Sequence, residues 1–199
     1  FFINFWLYSF ACCCLFNLLN PFINDIWVKK DTVFGTGVVL LIVMKTYFTG
    51  MRSSAQTFKN AKGLYWYNKY MPIYESLINL GVSLVLVKPL GVSGVLLGTI
   101  VSTVTTCAWI EPYVLYKYGF HKSVMPYYKN YLKLSLVFFA ILGVCYGAVS
   151  LVPGHSFIAF LIKLVISVIL PNILLYVIFR NSDEFAFLKS TIKERFLHR

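Results

Sequence analysis

Six long apolar runs, separated by charged or glycine- and proline-containing connections, constrain this chain more than any other feature. They cover residues 2–19, 33–51, 72–87, 92–110, 132–152 and 157–179. Each run predicts one membrane-spanning helix, because roughly 20 mostly apolar residues are needed to cross about 30 Å of hydrocarbon. With 59% hydrophobic and 13% charged residues, the composition excludes a soluble enzyme domain, a nucleic-acid-binding module and a disulfide-stapled secreted scaffold. We predict an all-α fold, a polytopic integral membrane helix bundle.

The distribution of basic residues predicts which side of the membrane each connection faces. Thirteen Lys and Arg lie in residues 52–70, 112–133 and the tail from 180, whereas the opposite connections hold three. Cytoplasmic loops carry an excess of Lys and Arg, so we place these segments and the C-terminus in the cytoplasm.

Two units follow from this pattern. Residues 1–179 form the predicted transmembrane bundle, which contacts membrane lipid, and residues 180–199 form a basic amphipathic tail. A second basic amphipathic segment is predicted in the membrane interface at residues 58–70. Because the chain begins inside an apolar run with no leader pattern, we expect a fragment that lacks its N-terminal part.

A cationic stripe within the second run is the first candidate site. Lys45, Thr49 and Arg52 share one helix face, since residues four and seven apart lie above one another. A charge in hydrocarbon costs about 2.5–3.5 kcal/mol, so each one needs a reason. The stripe predicts binding of a phosphate or pyrophosphate, with Lys59 at the cytoplasmic entrance. The alternative is that Lys45 snorkels or pairs with a carboxylate on a neighbouring helix.

The third apolar run contains a polar seam formed by Glu75, Asn79 and Ser83, which are spaced four residues apart. Such a seam faces a bundle interior or a wet cavity. Glu75 is a candidate partner for Lys45 or Arg52, or a proton-coupling carboxylate. The alternative is that the seam only packs and hydrogen-bonds against another helix.

Other polar residues favour structural roles. We expect Glu111 to lie at the cytoplasmic interface and Lys163 to snorkel to the outer one. The five cysteines and three histidines have no spacing that fits a metal site or a disulfide framework. No metal and no cofactor are predicted.

Small residues at four-residue spacing predict two helix-packing seams. The first contains Gly94, Gly98 and Ser102, and the second contains Gly143 and Gly147. Small side chains let two helix backbones approach closely in a membrane.

Several motifs occur in a characteristic order along the first two thirds of the chain. They are NPFI at 20–23, FKNAKGLYW at 58–66, PIYE at 72–75 with INL at 78–80, LGVSGVLLGT at 90–99 and WIEPYVLYK at 109–117. This string closely resembles the C-terminal half of bacterial polysaccharide flippases of the Wzx (O-antigen and capsule) type, in the multidrug/oligosaccharidyl-lipid/polysaccharide exporter superfamily. The resemblance covers roughly residues 1–130, and beyond that it rests on the helix pattern alone.

The resemblance implies half of a two-bundle, MATE-like transporter in the bacterial cytoplasmic membrane. Its cargo would be undecaprenyl-diphosphate-linked oligosaccharide repeat units, moved to the outer leaflet by alternating access during capsule or O-antigen synthesis. The implied partners are the missing N-terminal bundle of the same protein and a polysaccharide polymerase. The cavity of the family is often cationic, which agrees with the stripe of Lys45, Thr49 and Arg52. The implied protein is not an enzyme.

Two alternative functions remain open on the sequence. A multidrug cation antiporter of the same superfamily would favour acidic or neutral cavity groups over a lysine and arginine stripe. A membrane-embedded glycosyl transferase or polymerase would need carboxylate, His or Arg groups clustered at a membrane face, and the outward connections are short and nearly free of them.

Overall fold

The computed structural model describes residues 1–27, 35–154 and 156–197, without the side chains of 24, 25, 27 and 192–197. The described part is 88% helical with no strands. Its helices are α1 (Phe2–Pro21, extended by a π-helical turn at Phe22–Trp27), α2 (Thr36–Ala61), α3 (Met71–Leu90), α4 (Val92–Phe120), α5 (Met125–Ser150), α6 (Phe157–Phe179) and α7 (Asp183–Leu197). This architecture confirms the predicted all-α polytopic membrane helix bundle.

Five of the helices in the described part are long and apolar enough to cross a membrane. These spans are Phe2–Pro21, Trp66–Leu90, Val92–Phe120, Met125–Ser150 and Phe157–Phe179. The predicted second span corresponds to α2, which is 26 residues long but is not among the five. Its start at 33 lies outside the described residues. Lys45, Arg52 and Lys59 lower the hydropathy of α2, although one of its faces is fully packed into the bundle.

Two helices extend beyond their predicted ends. The α2 helix continues ten residues past 51 and ends at Ala61. The predicted interfacial segment at 58–70 is therefore not a separate helix, because its first four residues belong to α2 and the rest form short turns. The α4 helix passes Pro112 and ends at Phe120, with π-helical turns at Thr103–Cys107 and Leu115–Phe120. Proline has no N–H to donate to the backbone hydrogen bonds of a helix, and local π-helical turns help a helix to continue past it.

The main core lies between α1, α2, α5 and α6. Tyr47 of α2 stacks on Phe138 of α5 with ring centroids 4.1 Å apart, and its hydroxyl lies 3.2 Å from Ser135 Oγ. Four of the five cysteines are buried and all five are free, as expected for small, polarizable hydrophobic residues. The buried apolar residues of this core are Phe5, Cys12, Cys13, Val43, Tyr47, Met51, Leu134, Phe138, Ile141, Leu142, Cys145, Leu175 and Phe179.

The α3 and α4 helices form a hairpin around a turn at Gly91, whose φ is 56°. Glycines at the contact allow a close approach. A Cβ on Gly94 would meet the backbone of Leu86, and one on Gly98 would meet the side chain of Ser83. The first predicted small-residue seam is therefore confirmed.

The second predicted seam is wrong. A Cβ on Gly143 or on Gly147 would meet no atom of the described residues within 4 Å, and both glycines are exposed. Small residues at four-residue spacing permit close helix contact but do not demand it, because a lipid-facing glycine satisfies the same pattern.

The tail forms the predicted helix, α7, with Asp183 and Glu184 in its first turn. Phe185 stacks on Trp6 of α1 at 5.9 Å and contacts Tyr176 of α6 edge-on at 5.7 Å. The start of α7 is thus anchored to the bundle by aromatic contacts. The side chains of residues 192–197, which belong to the predicted amphipathic tail, lie outside the described residues.

The hairpin gives a direct test of close packing. Gly94→Ala forces the α3 backbone to move, so we expect it to destabilise the protein by about 1–3 kcal/mol. Gly143→Ala is the matched control, and the higher helix propensity of alanine should leave it neutral or stabilised by up to about 1 kcal/mol. Thermal unfolding in detergent measures both, and equal effects would contradict the packing described here.

Candidate functional site

Four charged side chains from α2, α3 and α4 meet in one group, called here the ionic cluster: Arg52, Lys59, Glu75 and Glu111. Arg52 Nε donates to Glu111 Oε2 at 2.8 Å and its Nη2 donates to Glu111 Oε1 at 3.2 Å. Its Nη1 reaches Glu75 Oε1 at 3.1 Å. Lys59 Nζ donates to Glu111 Oε1 at 3.0 Å. Because Arg52 and Lys59 are seven residues apart, α2 presents both cations on the same face.

Glu111 is the centre of the ionic cluster and has no exposed surface. Its side chain is therefore enclosed by protein, which the sequence did not indicate, and its place at the cytoplasmic interface stays a prediction. The sequence suggested an end of the helix at Pro112, whereas α4 continues past it and carries Glu111 against α2. A buried carboxylate is tolerated only where cations and hydrogen bonds compensate it, and Arg52 and Lys59 supply three such bonds.

The formal charges of the ionic cluster sum to zero, and little space remains beside it. The adjoining cavity is lined in part by Arg52, Glu111, Tyr127 and Tyr131 and measures about 10 Å³, which is close to the minimum for one water molecule. In this conformation a diphosphate has no room between the two cations. The cluster ties α2, α3 and α4 together at one end of the bundle.

Lys45 and Thr49 lie on a different, uncovered part of the stripe, called here the exposed polar face. Both side chains are exposed, and neither makes a side-chain hydrogen bond or ion pair with any described residue. Lys45 is nine residues from the start of α2, or about 14 Å along the helix axis. It therefore lies deep along a helix that is packed among spans, where a lipid-facing cation is strongly disfavoured.

The structure brings some of the predicted site residues together and separates others. Arg52 and Lys59 share Glu111, and Glu75 pairs with Arg52, one of its two predicted partners. Lys45 and Thr49 stay outside this group. Asn79 accepts a hydrogen bond from Ser83 at 3.1 Å on the same helix, against the glycine seam of α4, which fits the structural alternative for that residue.

Sequence reasoning missed the role of Glu111. A signal was present, because residues 45–59 hold three cations and the only acid of the neighbouring third run is Glu75. A second carboxylate was therefore needed to balance the positive charges of α2, and Glu111 is the acid that directly follows the fourth run.

Lys163 reaches from α6 to the loop that precedes this helix. Only 9% of its surface is exposed, and its Nζ donates to the carbonyl oxygen of Gly154 at 3.2 Å. Because Gly154 lies in the connection between α5 and α6, the amine extends toward that end of the bundle, the direction expected for snorkelling. The burial of its side chain is a feature that the sequence did not indicate.

No group of three or more His, Cys, Asp or Glu that could hold a metal ion occurs among residues 1–27, 35–154 and 156–197. In comparisons with protein-family models, curated proteins and solved structures, this chain finds no match. The resemblance to polysaccharide flippases therefore stays a prediction that rests on the motifs alone.

The ionic cluster can be tested by neutralising its centre. Glu111→Gln leaves the buried cations of Arg52 and Lys59 without a counter-charge, so we expect a loss of about 3–5 kcal/mol in the free energy of unfolding. Glu75→Gln should cost less than about 1 kcal/mol, because Glu75 is partly exposed and screened by solvent.

Glu184→Gln is the matched control for this series, since Glu184 is exposed at the start of α7. We expect a change within about 0.5 kcal/mol there. Chemical unfolding in detergent micelles ranks the three variants. A Glu111→Gln protein as stable as the control would show that the cluster contributes nothing to the bundle.

Proposed function

We propose that this chain is one bundle of a flippase that moves undecaprenyl-diphosphate-linked oligosaccharide repeat units across the bacterial cytoplasmic membrane, for capsule or O-antigen synthesis. The proposal combines the motif resemblance with one structural observation. That observation is the uncovered cation Lys45 in the middle part of α2.

The position of Lys45 supports the proposal that the exposed polar face of α2 contacts water or protein and not lipid. A lysine exposed to hydrocarbon costs about 2.5–3.5 kcal/mol, and no described carboxylate pairs with it. A second bundle facing the exposed polar face would enclose a cavity with a cation in its wall. An anionic diphosphate entering that cavity gains a charge-assisted hydrogen bond from Lys45, and the hydroxyl of Thr49 lies one turn away.

The ionic cluster has a separate part in this proposal. Arg52 lies on the same face as Lys45 but is held by Glu75 and Glu111. For Arg52 and Lys59 to bind a diphosphate, the ligand must replace at least part of the carboxylate contact. Exchange of one anion for another at a guanidinium group changes little net charge, so it provides a route for substrate to loosen the contact of α2 with α3 and α4.

The proposal fixes an orientation: the end of the bundle with the ionic cluster and α7 faces the cytoplasm. A reporter fused after residue 199 tests this. We expect a C-terminal green fluorescent protein to be fluorescent and a C-terminal alkaline phosphatase to be inactive. The opposite pair of results would reverse the proposed topology.

The substrate role of Lys45 is tested in cells that depend on the full-length protein for surface polysaccharide. Lys45→Ala should reduce export at least about tenfold, since one charge-assisted contact with a diphosphate in a low-dielectric site is worth about 1.5–3 kcal/mol. Lys45→Arg keeps the charge and should retain most of the export.

Lys88→Ala is the matched control, because Lys88 is an exposed lysine beside the α3–α4 turn, far along the chain from the exposed polar face. Protein abundance in the membrane is measured by immunoblot in each strain. Normal export by Lys45→Ala at wild-type abundance would remove Lys45 from the mechanism.

A further inference from the structure

A second cavity with polar lining residues lies between the helices, partly open at the surface and away from the ionic cluster. It occupies about 260 Å³ between the end of α1, the start of α2, the end of α5 and the first turns of α6. Along α2, Val39 at this cavity and Arg52 in the cluster are thirteen residues apart, or about 20 Å. The polar residues of the cavity wall are Asn17, Asn20, Thr36, Tyr146, Ser150 and Lys163.

Lys163 gives this cavity a buried positive charge. Its side chain is nine-tenths buried, and its one hydrogen bond within the described part goes to the neutral carbonyl of Gly154. The ion pairs of the described residues all belong to the ionic cluster. An ammonium group has three donors, so two remain for a ligand. A buried cation without a counter-ion is costly for the protein alone.

Asn17 adds an acceptor to the same wall. It is 96% buried, since only 4% of its surface is exposed. Its Nδ2 donates to Cys13 O at 2.9 Å, one turn earlier on α1. Its Oδ1 is buried and accepts no hydrogen bond from the described residues. A buried acceptor left unpaired costs free energy that a ligand with an O–H or N–H donor would recover.

We propose that this cavity, called here the Lys163 cavity, binds a small anion that carries a hydroxyl group, such as a hydroxy acid or a sugar acid. The carboxylate of the ligand pairs with Lys163, and its hydroxyl donates to Asn17 Oδ1 once the amide has turned toward the cavity. The cavity is smaller than the roughly 300–1,000 Å³ typical of pockets for drug-sized ligands, so the occupant is a single small unit. The proposal stands independently of the flippase function, because it concerns binding only.

A matched pair of probes separates the two contacts. Lactate and propionate have the same charge and differ in one hydroxyl, and their binding to the purified full-length protein in lipid nanodiscs is measured by ligand-induced thermal shift and by calorimetry. We expect lactate to bind about tenfold more tightly than propionate, because one buried acceptor is satisfied only by lactate.

Two variants assign these contacts to residues. Lys163→Met should lower the affinity for both acids at least about tenfold, and it should leave the ligand-free protein as stable as wild type or more stable, since an unpaired buried charge is removed. Asn17→Leu should abolish the preference for lactate while keeping the affinity for propionate. Lys163→Arg should retain binding, and Lys88→Met is the exposed control.

Glucuronate distinguishes the source of the ligand. Saturable binding of glucuronate that requires Lys163 indicates a sugar acid as the natural occupant, whereas binding of lactate alone indicates a free hydroxy acid. Absence of saturable binding of every acid to the wild-type protein, or affinities unchanged in Lys163→Met, would overturn the proposal. Neither result would bear on the export assay for Lys45, so the two proposals fail separately.

Discussion

The contact of Glu111 with Arg52 and Lys59 is the interaction on which the arrangement of α2, α3 and α4 depends. A carboxylate with no exposed surface is stable in a membrane protein only where cations meet it closely, and two of them lie within 3.0 Å. This requirement fixes the rotation of α2, since the same face must carry both cations. Lys45 and Thr49 lie on the same side of α2, nearer its start, where both side chains stay exposed in the described part.

The charges of the ionic cluster, Lys45 and Lys163 are compensated to different extents by the residues around them. The ionic cluster is neutral and nearly without space, so it holds helices together. Among the described residues, Lys45 has space but no partner, and Lys163 has a cavity and one partner, a neutral carbonyl. An intramembrane charge that is not compensated by the fold marks a place where something else supplies the compensation. Both functional proposals follow from this distinction between compensated and uncompensated cations.

Much of the fold follows from the hydropathy pattern, whereas the pairing of charges does not. Run lengths predicted most of the helices because helix length in a membrane depends on local hydropathy. The extension of α4 past Pro112 depends on π-helical turns and on contact with α2, and it encloses Glu111 in protein. The burial of Lys163 likewise depends on a tertiary contact, its hydrogen bond to Gly154 O. Sequence spacing named Arg52, Lys59 and Glu75, but the acid that joins them is distant along the chain.

The proposed transport route requires Lys45 to face an aqueous cavity in the complete protein. Lys45→Cys in intact membranes, treated with a charged, water-soluble thiosulfonate, measures this directly, with the labelled position read by mass spectrometry because five native cysteines are present. Val165→Cys on the exposed side of α6 is the lipid-facing reference. We expect position 45 to react at least about tenfold faster than position 165, because the reagent modifies hydrated thiolates. Equal rates at the two positions would contradict it.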